Sequence, residues 1–362
     1  MSRHKLGSGF LASALAREIR RLKPSSVFAV VDPGAKAITE SALQNLPCVV
    51  MRGTRGERLK TPEAAAQLTQ KMVRKGLDRQ SLVIAVGGGA STDLTGFAAA
   101  TALRGVRWGV VSTTLLSMAD AGLGGKTAVN LPEGKNLMGA FHMPEFVFAD
   151  LATLETLPST EWTSGLGEIL KAAMLSGTAA LSRLEAAQAS DFSPEILGRI
   201  QSGPGSEKSA LLQTLQMSVR VKKKIVELDP LESGLRKTLN LGHTFGHALE
   251  TAAAQQAASK RLSHGSAVAL GLLCALRFAV EAGLAAPTYY ERILALTEHL
   301  GLPTQFQGRL PAPNELRRLL KHDKKALGGK LDLILPTRPG AVEMIEGIRV
   351  GQVERVLRRE LG

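Results

Sequence analysis

Short, Val-rich apolar runs alternate with amphipathic stretches along roughly the first 150 residues, and beyond Leu157-Pro158 the alternation ends. Runs at 26–31, 48–51, 82–86 and 108–112 read as buried strands bounded by Gly, Pro or polar residues. Between them, 35–44, 61–75 and 90–103 carry apolar residues near 3.6 spacing and read as helices. Strand–helix alternation predicts a mostly parallel sheet covered by helices on both faces. After the boundary, 160–177, 207–228, 240–258, 264–283 and 288–300 all read as helices, with a short hairpin at 330–335 and 342–345. The expected architecture is an α/β N-terminal domain over 1–157 and an all-helical C-terminal domain over 158–362, with an active site in the cleft between them.

Composition removes several function classes. The chain has 362 residues, enough for about two domains. Aromatic residues are only 4%, too few for the stacking platforms of a single-stranded nucleic-acid binder. The net charge of +13 is dispersed, matches no recognition motif, and suits attraction of an anionic substrate or simply a basic surface. Cys48 and Cys274 both sit in apolar runs and read as buried free thiols. The N-terminus lacks the apolar segment of a secretory signal, and no apolar run reads as long enough for a bilayer, so a cytoplasmic protein with no membrane or nucleic-acid partner is expected.

The chemistry concentrates in a few segments. In Asn240-Leu-Gly-His-Thr-Phe-Gly-His247, His243 and His247 lie four apart, which on a helix aims two imidazoles at one centre. His264 follows seventeen residues on, and Gly-Glu168-Ile-Leu-Lys171 adds a carboxylate and an ammonium one turn apart. Two nitrogens and one oxygen suit a hard-to-borderline divalent metal with positions left open. Val83–Asp93 runs a strand into Gly87-Gly88-Gly89 and then a helix, which offers free N–H groups to a pyrophosphate or is a plain tight turn. Its spacing is not G-x-G-x-x-G. Asp93 reads either as a cofactor contact or as first-turn helix stabilisation. Ser112-Thr113-Thr114 ends another strand, placed for the same cofactor.

Asp120-Ala-Gly-Leu-Gly-Gly-Lys126 and Gly134-Lys135-Asn136 read as flexible, cationic loops for a phosphorylated, polyhydroxylated ligand, without Walker A spacing. Lys222, Arg236 and Asn240 bracket the histidine segment, and the planar fork of Arg236 suits a carboxylate. Lys321-His-Asp323-Lys324-Lys325 reads by default as a solvated charge run.

These segments together resemble the 3-dehydroquinate synthase family. The match is carried by Gly-Gly-Gly-x-x-x-Asp-Leu-x-Gly-Phe, Leu-Arg104-Gly-Val-Arg, Thr-Thr-Leu-Leu, Asp120-x-x-x-Gly-Gly-Lys126-Thr, Gly-Lys135-Asn136-Leu-x-Gly-Ala-Phe and Asn-Leu-Gly-His-Thr-Phe-Gly-His-Ala, in consistent order from Gly56 to Lys325. The resemblance implies an NAD-binding α/β domain, a helical metal domain and a homodimer. It implies zinc or cobalt on Glu168, His243 and His264, and NAD on Glu57, Lys60, Gly87, Gly88, Gly89, Asp93, Thr113 and Thr114. It implies as substrate 3-deoxy-D-arabino-heptulosonate 7-phosphate, an anionic, phosphorylated and carboxylated sugar. Asp120 and Lys171 would meet its hydroxyls, and Lys222, Arg236 and Asn240 its carboxylate. Lys126, Asn136, His247 and Lys324 would meet its phosphate, beside Lys135, with Arg104 reaching across from a second subunit.

Several positions depart from the family pattern. Thr92 stands where Gly is usual, Asp229-Pro230 where Asp-Glu is usual, Asp120-Ala-Gly where Asp-Ser-Ser is usual, and Ser266 where His-Gly is usually followed by Glu. The last removes a carboxylate beside a proposed ligand. Competing readings are a sugar-phosphate cyclase for substrates without a carboxylate, a metal-dependent polyol dehydrogenase, and a non-catalytic binding protein of the same fold.

Overall fold

The computed structural model describes residues 2–120, 122–201, 209–256, 262–321 and 330–361. The chain divides into two compact units, Met1–Pro158 with Pro194–Leu212, and Ser159–Ser193 with Gln213–Gly362. Their first boundary falls beside Pro158, where the alternation ends. The sequence pattern does not foretell the return of Pro194–Leu212 to the first unit, where the helix Ile196–Gln201 lies on the turn Leu151–Leu154.

In the first unit, β1 (Arg3–Gly7), β2 (Val27–Val31), β3 (Val49–Arg52), β4 (Leu82–Gly87) and β5 (Arg107–Ser112) share a sheet with β8 (Phe146–Asp150). The order is β1-β8-β5-β4-β2-β3 and every pairing is parallel. All residues of β2, β4 and β8 are buried, as strands sandwiched between two helix layers must be. Their side chains alternate between two cores. Phe28, Val30, Val83, Ala85 and Val110 join Met72 and Phe97 on one face, and Ala29, Val31, Ile84, Val86 and Val111 join Leu15 and Leu43 on the other. The chain moves outward from β2 to β3 on one side and from β4 through β5 to β8 on the other. The crevice beyond the carboxyl ends of β2 and β4 is therefore the topological switch point, where open α/β sheets hold ligands.

Between β5 and β8 the chain forms an antiparallel hairpin of β6 (Lys126–Leu131) and β7 (Gly134–Phe141). The segments around Lys126 and Lys135, read above as flexible loops, are thus strand residues, because Thr127–Val129 bury against the helix layer and pull the lysines into register. β1 and β8 were not foreseen either.

Among its described residues, the second unit is helical apart from a hairpin of β9 (Lys330–Arg338) and β10 (Ala341–Arg349), which the alternation near 330–345 anticipates. At its centre lies the helix His264–Glu281, with fourteen of its eighteen residues buried. It packs on the helices Ser159–Ser176 and His243–Ala254. By length and composition this helix matches a membrane span, contrary to the expectation that no apolar run is long enough, but here its apolarity serves burial in the core. Cys274 is buried in it as expected, whereas Cys48 is only half-buried; both are free thiols.

Candidate active site

Three helices of the second unit converge on one point. Glu168 comes from Ser159–Ser176, while His243 and His264 are the first residues of their helices. Glu168 Oε1 lies 3.5 Å from His243 Nε2 and 3.3 Å from His264 Nε2. Two donors on a tetrahedral ion at ordinary Zn–N and Zn–O lengths stand about 3.4 Å apart. Possible ligand atoms of all three residues fall within 4.8 Å of one another, so the donor set fits one divalent ion.

Glycines make this convergence possible. A Cβ on Gly167 would fall 2.1 Å from the Gly265 carbonyl oxygen, and one on Gly265 would fall 1.9 Å from that of Ser164. A Cβ on Gly271 would fall 2.1 Å from the Gly242 carbonyl oxygen. The helices therefore touch backbone to backbone beside each ligand, and any side chain there would drive them apart.

Hydrogen bonds then orient the ligands. Leu241 O lies 3.1 Å from His243 Nδ1, which as donor leaves the Nε2 lone pair facing Glu168. Glu250 Oε2 lies 3.5 Å from His264 Nδ1 on the far side of that ring. Lys171 Nζ, itself buried, pairs with Glu168 Oε2 at 2.5 Å. Burial would raise the Glu168 pKa, but Lys171 and then the two imidazoles overcome it and hold the carboxyl well below its usual range. Burial and the neighbouring Lys171 push His243 far down, keeping it neutral and ready to ligate. Burial also opposes the His264 proton, yet Glu168 and Glu250 retain it and carry the pKa up to about 9. The His247 ring completes the cluster, 5.2 Å from His243 and 6.2 Å from His264 between centroids.

Nearby in sequence, Asp229 shapes the loop that carries Arg236. Its carboxylate accepts from the backbone N–H groups of Ser233, Gly234 and Arg236 at 2.7–2.9 Å. The N–H of Arg236 and then that of Gly234 are the chief reasons its pKa lies far below the usual carboxylate range. Arg236 is fully buried and its guanidinium donates to the carbonyl of Pro230, so the departure at 230 leaves that backbone acceptor available. Asn240 Nδ2 donates to Glu232 Oε1 at 3.2 Å, with Glu232 in a left-handed conformation at φ 61°. Sequence reading passed over both Glu232 and Glu250; the only available signal was their nearness to the named residues. Lys222 stands half-buried on the helix Ala210–Leu228, and Lys324 lies outside the described residues. Ser266 accepts a hydrogen bond from Ser263 Oγ, and its own N–H donates to that oxygen, the N-cap of the His264 helix.

In the first unit, Gly87, Gly88, Gly89, Thr113 and Thr114 stand at or just beyond the carboxyl ends of β4 and β5, whereas Arg104 precedes β5 at the opposite end of the sheet. Gly87 ends β4, and Thr113 N–H donates to its carbonyl at 3.0 Å. A Cβ on Gly87 would meet the Asp32 and Ser91 side chains at 2.9 Å, and one on Gly88 the Thr114 methyl at 2.8 Å. Both positions are tight, but the atoms in the way belong to side chains, which can yield more readily than the backbone met at Gly167, Gly265 and Gly271. Gly89 opens the helix Gly89–Thr101, whose Thr92 hydroxyl turns back onto the Gly89 carbonyl at 3.0 Å. The Thr114 hydroxyl caps the short helix Leu115–Ala119 by accepting from Ser117 N–H at 3.1 Å, and Asp120 follows that helix.

Lys60 is buried, with its ammonium 2.6 Å from Asp93, 3.7 Å from Glu57, and donating to Asn136 Oδ1. Residues expected for cofactor and for phosphate thus share one network. Arg104 is exposed on a kink where it and Leu103 both adopt positive φ, 67° and 52°.

Comparison with known proteins agrees with this layout. Family models for the N-terminal and C-terminal domains of 3-dehydroquinate synthase match residues 50–164 and 165–326. A 3-dehydroquinate synthase of Synechococcus sp. (strain ATCC 27144) is 41% identical over 305 residues, covering 83% of this chain and 78% of that protein. Among solved structures, a 2-epi-5-epi-valiolone synthase from Streptomyces hygroscopicus subsp. jinggangensis 5008 with NAD+ and Zn2+ bound has a TM-score of 0.83 at 27% identity, covering 99% of this chain and 96% of that one. A 2-deoxy-scyllo-inosose synthase complexed with carbaglucose-6-phosphate, NAD+ and Co2+ has the same TM-score and coverage at 24% identity, and shows the fold.

Proposed function

The chain belongs to the 3-dehydroquinate synthase family, and from that membership we propose that it converts 3-deoxy-D-arabino-heptulosonate 7-phosphate into 3-dehydroquinate and inorganic phosphate, a step of the shikimate pathway. It is a carbon–oxygen lyase that uses NAD and a divalent metal, zinc or cobalt. The observation that carries the reading is the convergence of Glu168, His243 and His264 around a buried Lys171.

When bound, the metal acts as a Lewis acid on neighbouring substrate hydroxyls, and NAD accepts a hydride and returns it within the same turnover. Glu168, His243 and His264 hold the metal, and Lys171 stands beside it as a cation for the hydroxyl that loses its proton. Asp120 orients the hydroxyls. Glu57, Lys60, Gly87, Gly88, Gly89, Asp93, Thr113 and Thr114 hold NAD. Arg236, Asn240 and Lys222 receive the carboxylate; Arg236 is supported here by its buried, pre-set guanidinium. Lys126, Lys135, Asn136, His247 and Lys324 receive the phosphate, with Arg104 contributed by the second subunit of a homodimer in the cytoplasm. The ketone acidifies the adjacent C–H, so phosphate leaves by elimination and its oxygen carries that proton away. After re-reduction the ring opens and an intramolecular aldol addition closes the carbocycle, favoured by holding the reacting ends together. The work is mostly positioning and charge complementarity.

The test is to give metal-loaded protein catalytic NAD and the heptulosonate phosphate, following phosphate and dehydroquinate together. Equimolar release of both without net NADH is expected. Stoichiometric NADH would instead mean a dehydrogenase, and bound metal and NAD without any product would mean a different sugar phosphate or a protein that only binds.

A further inference from the structure

We infer that Asn130, which has no role in the scheme above, is a positioning residue that locks the cofactor-side pair Glu57–Lys60 to the phosphate-side segment Lys135–Asn136. The inference rests on the proposed ligands of those four residues. Three observations carry it.

Asn130 sits at an irregularity of the β6–β7 hairpin. Val129 pairs with Met138 and Leu131 with Gly134, so Lys135, Asn136 and Leu137 stand opposite Asn130 alone. Bulges of this kind bend a strand and re-aim its side chains. Next, Asn136 within the bulge adopts the left-handed conformation, φ 55°, one that Asn tolerates better than most residues but that neighbours must still hold in place. Finally, Asn130 provides that hold and ties it to the Glu57–Lys60 segment. Its Oδ1 accepts from the Asn136 backbone N–H at 2.9 Å. Its Nδ2 donates to Glu57 Oε1 at 2.8 Å and to the Glu57 carbonyl at 3.2 Å. Its backbone N–H donates to the Lys60 carbonyl at 2.7 Å.

The Asn136 side chain meanwhile accepts from the Lys60 ammonium, which also pairs with Glu57 at 3.7 Å, so hydrogen bonds and one ion pair close a ring through Asn130, Glu57, Lys60 and Asn136. An amide suits position 130. The position needs an acceptor for Asn136 N–H and a donor for a carboxylate on the same side chain, which neither Asp nor an apolar residue supplies.

Binding of inorganic phosphate and of NAD to the metal-loaded protein is measured by calorimetry, apart from any turnover. Asn130→Ala is expected to weaken phosphate binding about tenfold, the scale of one or two lost hydrogen bonds to ligand-facing groups, and to weaken NAD binding severalfold. Asn130→Asp keeps the acceptor but opposes Glu57 with a second carboxylate, and is expected to weaken both at least as much. The double variant N130D/E57Q restores a donor–acceptor pair between the two positions and is expected to bind phosphate more tightly than N130D alone, a rescue that a generally loosened fold would not show. Unchanged phosphate and NAD affinities in both single variants, or a double variant no better than N130D, would overturn the inference. Wild-type protein that binds phosphate in an Asn130-dependent way yet makes no dehydroquinate would break the proposed function and leave this role standing.

Discussion

The metal corner and the switch-point network are built in opposite ways. At the candidate metal corner, three helix backbones are pressed together through glycines and every candidate ligand sits on a regular helix, so its geometry follows from close packing. At the switch point, the side chains come from a strand end, a 3₁₀ turn at Glu57–Leu59 and a bulged hairpin, and hydrogen bonds among them set the geometry. The first construction is rigid and intolerant of volume. The second tolerates volume better and depends on the identity of each donor and acceptor.

The contrast can be broken most severely at the ligands. His264→Ala should abolish metal retention and lower turnover by roughly 10³-fold or more, read from metal content per chain and from phosphate release. Full activity without metal would sink the ligand assignment. Next in size, Gly265→Ala places a Cβ where the Ser164 carbonyl stands, and should cost about 3 kcal/mol of stability along with metal affinity, measured by denaturant unfolding and metal titration. Gly88→Ala, whose Cβ meets the Thr114 side chain, its methyl nearest at 2.8 Å, should cost about 1 kcal/mol and act mainly on NAD affinity. Equal losses of stability would erase the distinction between the two regions.

A pH series sharpens the electrostatic half of the comparison. Metal-free His264 keeps its proton up to about pH 9, and the ion must displace that proton. Metal affinity should therefore rise about tenfold per pH unit between pH 7 and 9 and level off above, and fall correspondingly as the medium becomes more acid. A flat profile over that range would remove His264 from the ligands. The smallest effect is expected from Thr92→Gly, which restores the residue usual in the family. It removes one hydroxyl bond to Gly89 and adds helix entropy, so stability should fall by about 1 kcal/mol with NAD affinity nearly unchanged. A large gain in NAD affinity would show instead that Thr92 obstructs the cofactor.

Much of this was legible beforehand because periodicity and local motif report local physics. The buried strands at 27–31 and 82–87 appear as apolar runs, since both of their faces are covered. His243 and Glu168 are recognisable from their motifs, and the structure brings them together with His264. What stayed hidden is contact between segments distant in the chain. Glu250 lies near His264 only because two helices pack through Gly246 and Ala267, and nothing in the residues around 250 reports it. Asn130 does not stand out because an asparagine near a turn is commonplace, and the role inferred for it comes from a pairing irregularity and from hydrogen bonds to Glu57, 73 residues away. Lys126 and Lys135 looked like loop residues because glycines surround them, and the hairpin forms only once Thr127–Val129 find the helix layer.

The sequence by itself determined the class of each unit and the types of donor available to a metal, a phosphate and a carboxylate, because hydrophobic period and side-chain chemistry are local properties. The tertiary structure alone decided which donors face one another, how deeply Lys60, Lys171 and Arg236 are buried, and in which direction Glu168, His243 and His264 are shifted. Burial and charge separation depend on every element packed around a group, and so belong to no single stretch of chain.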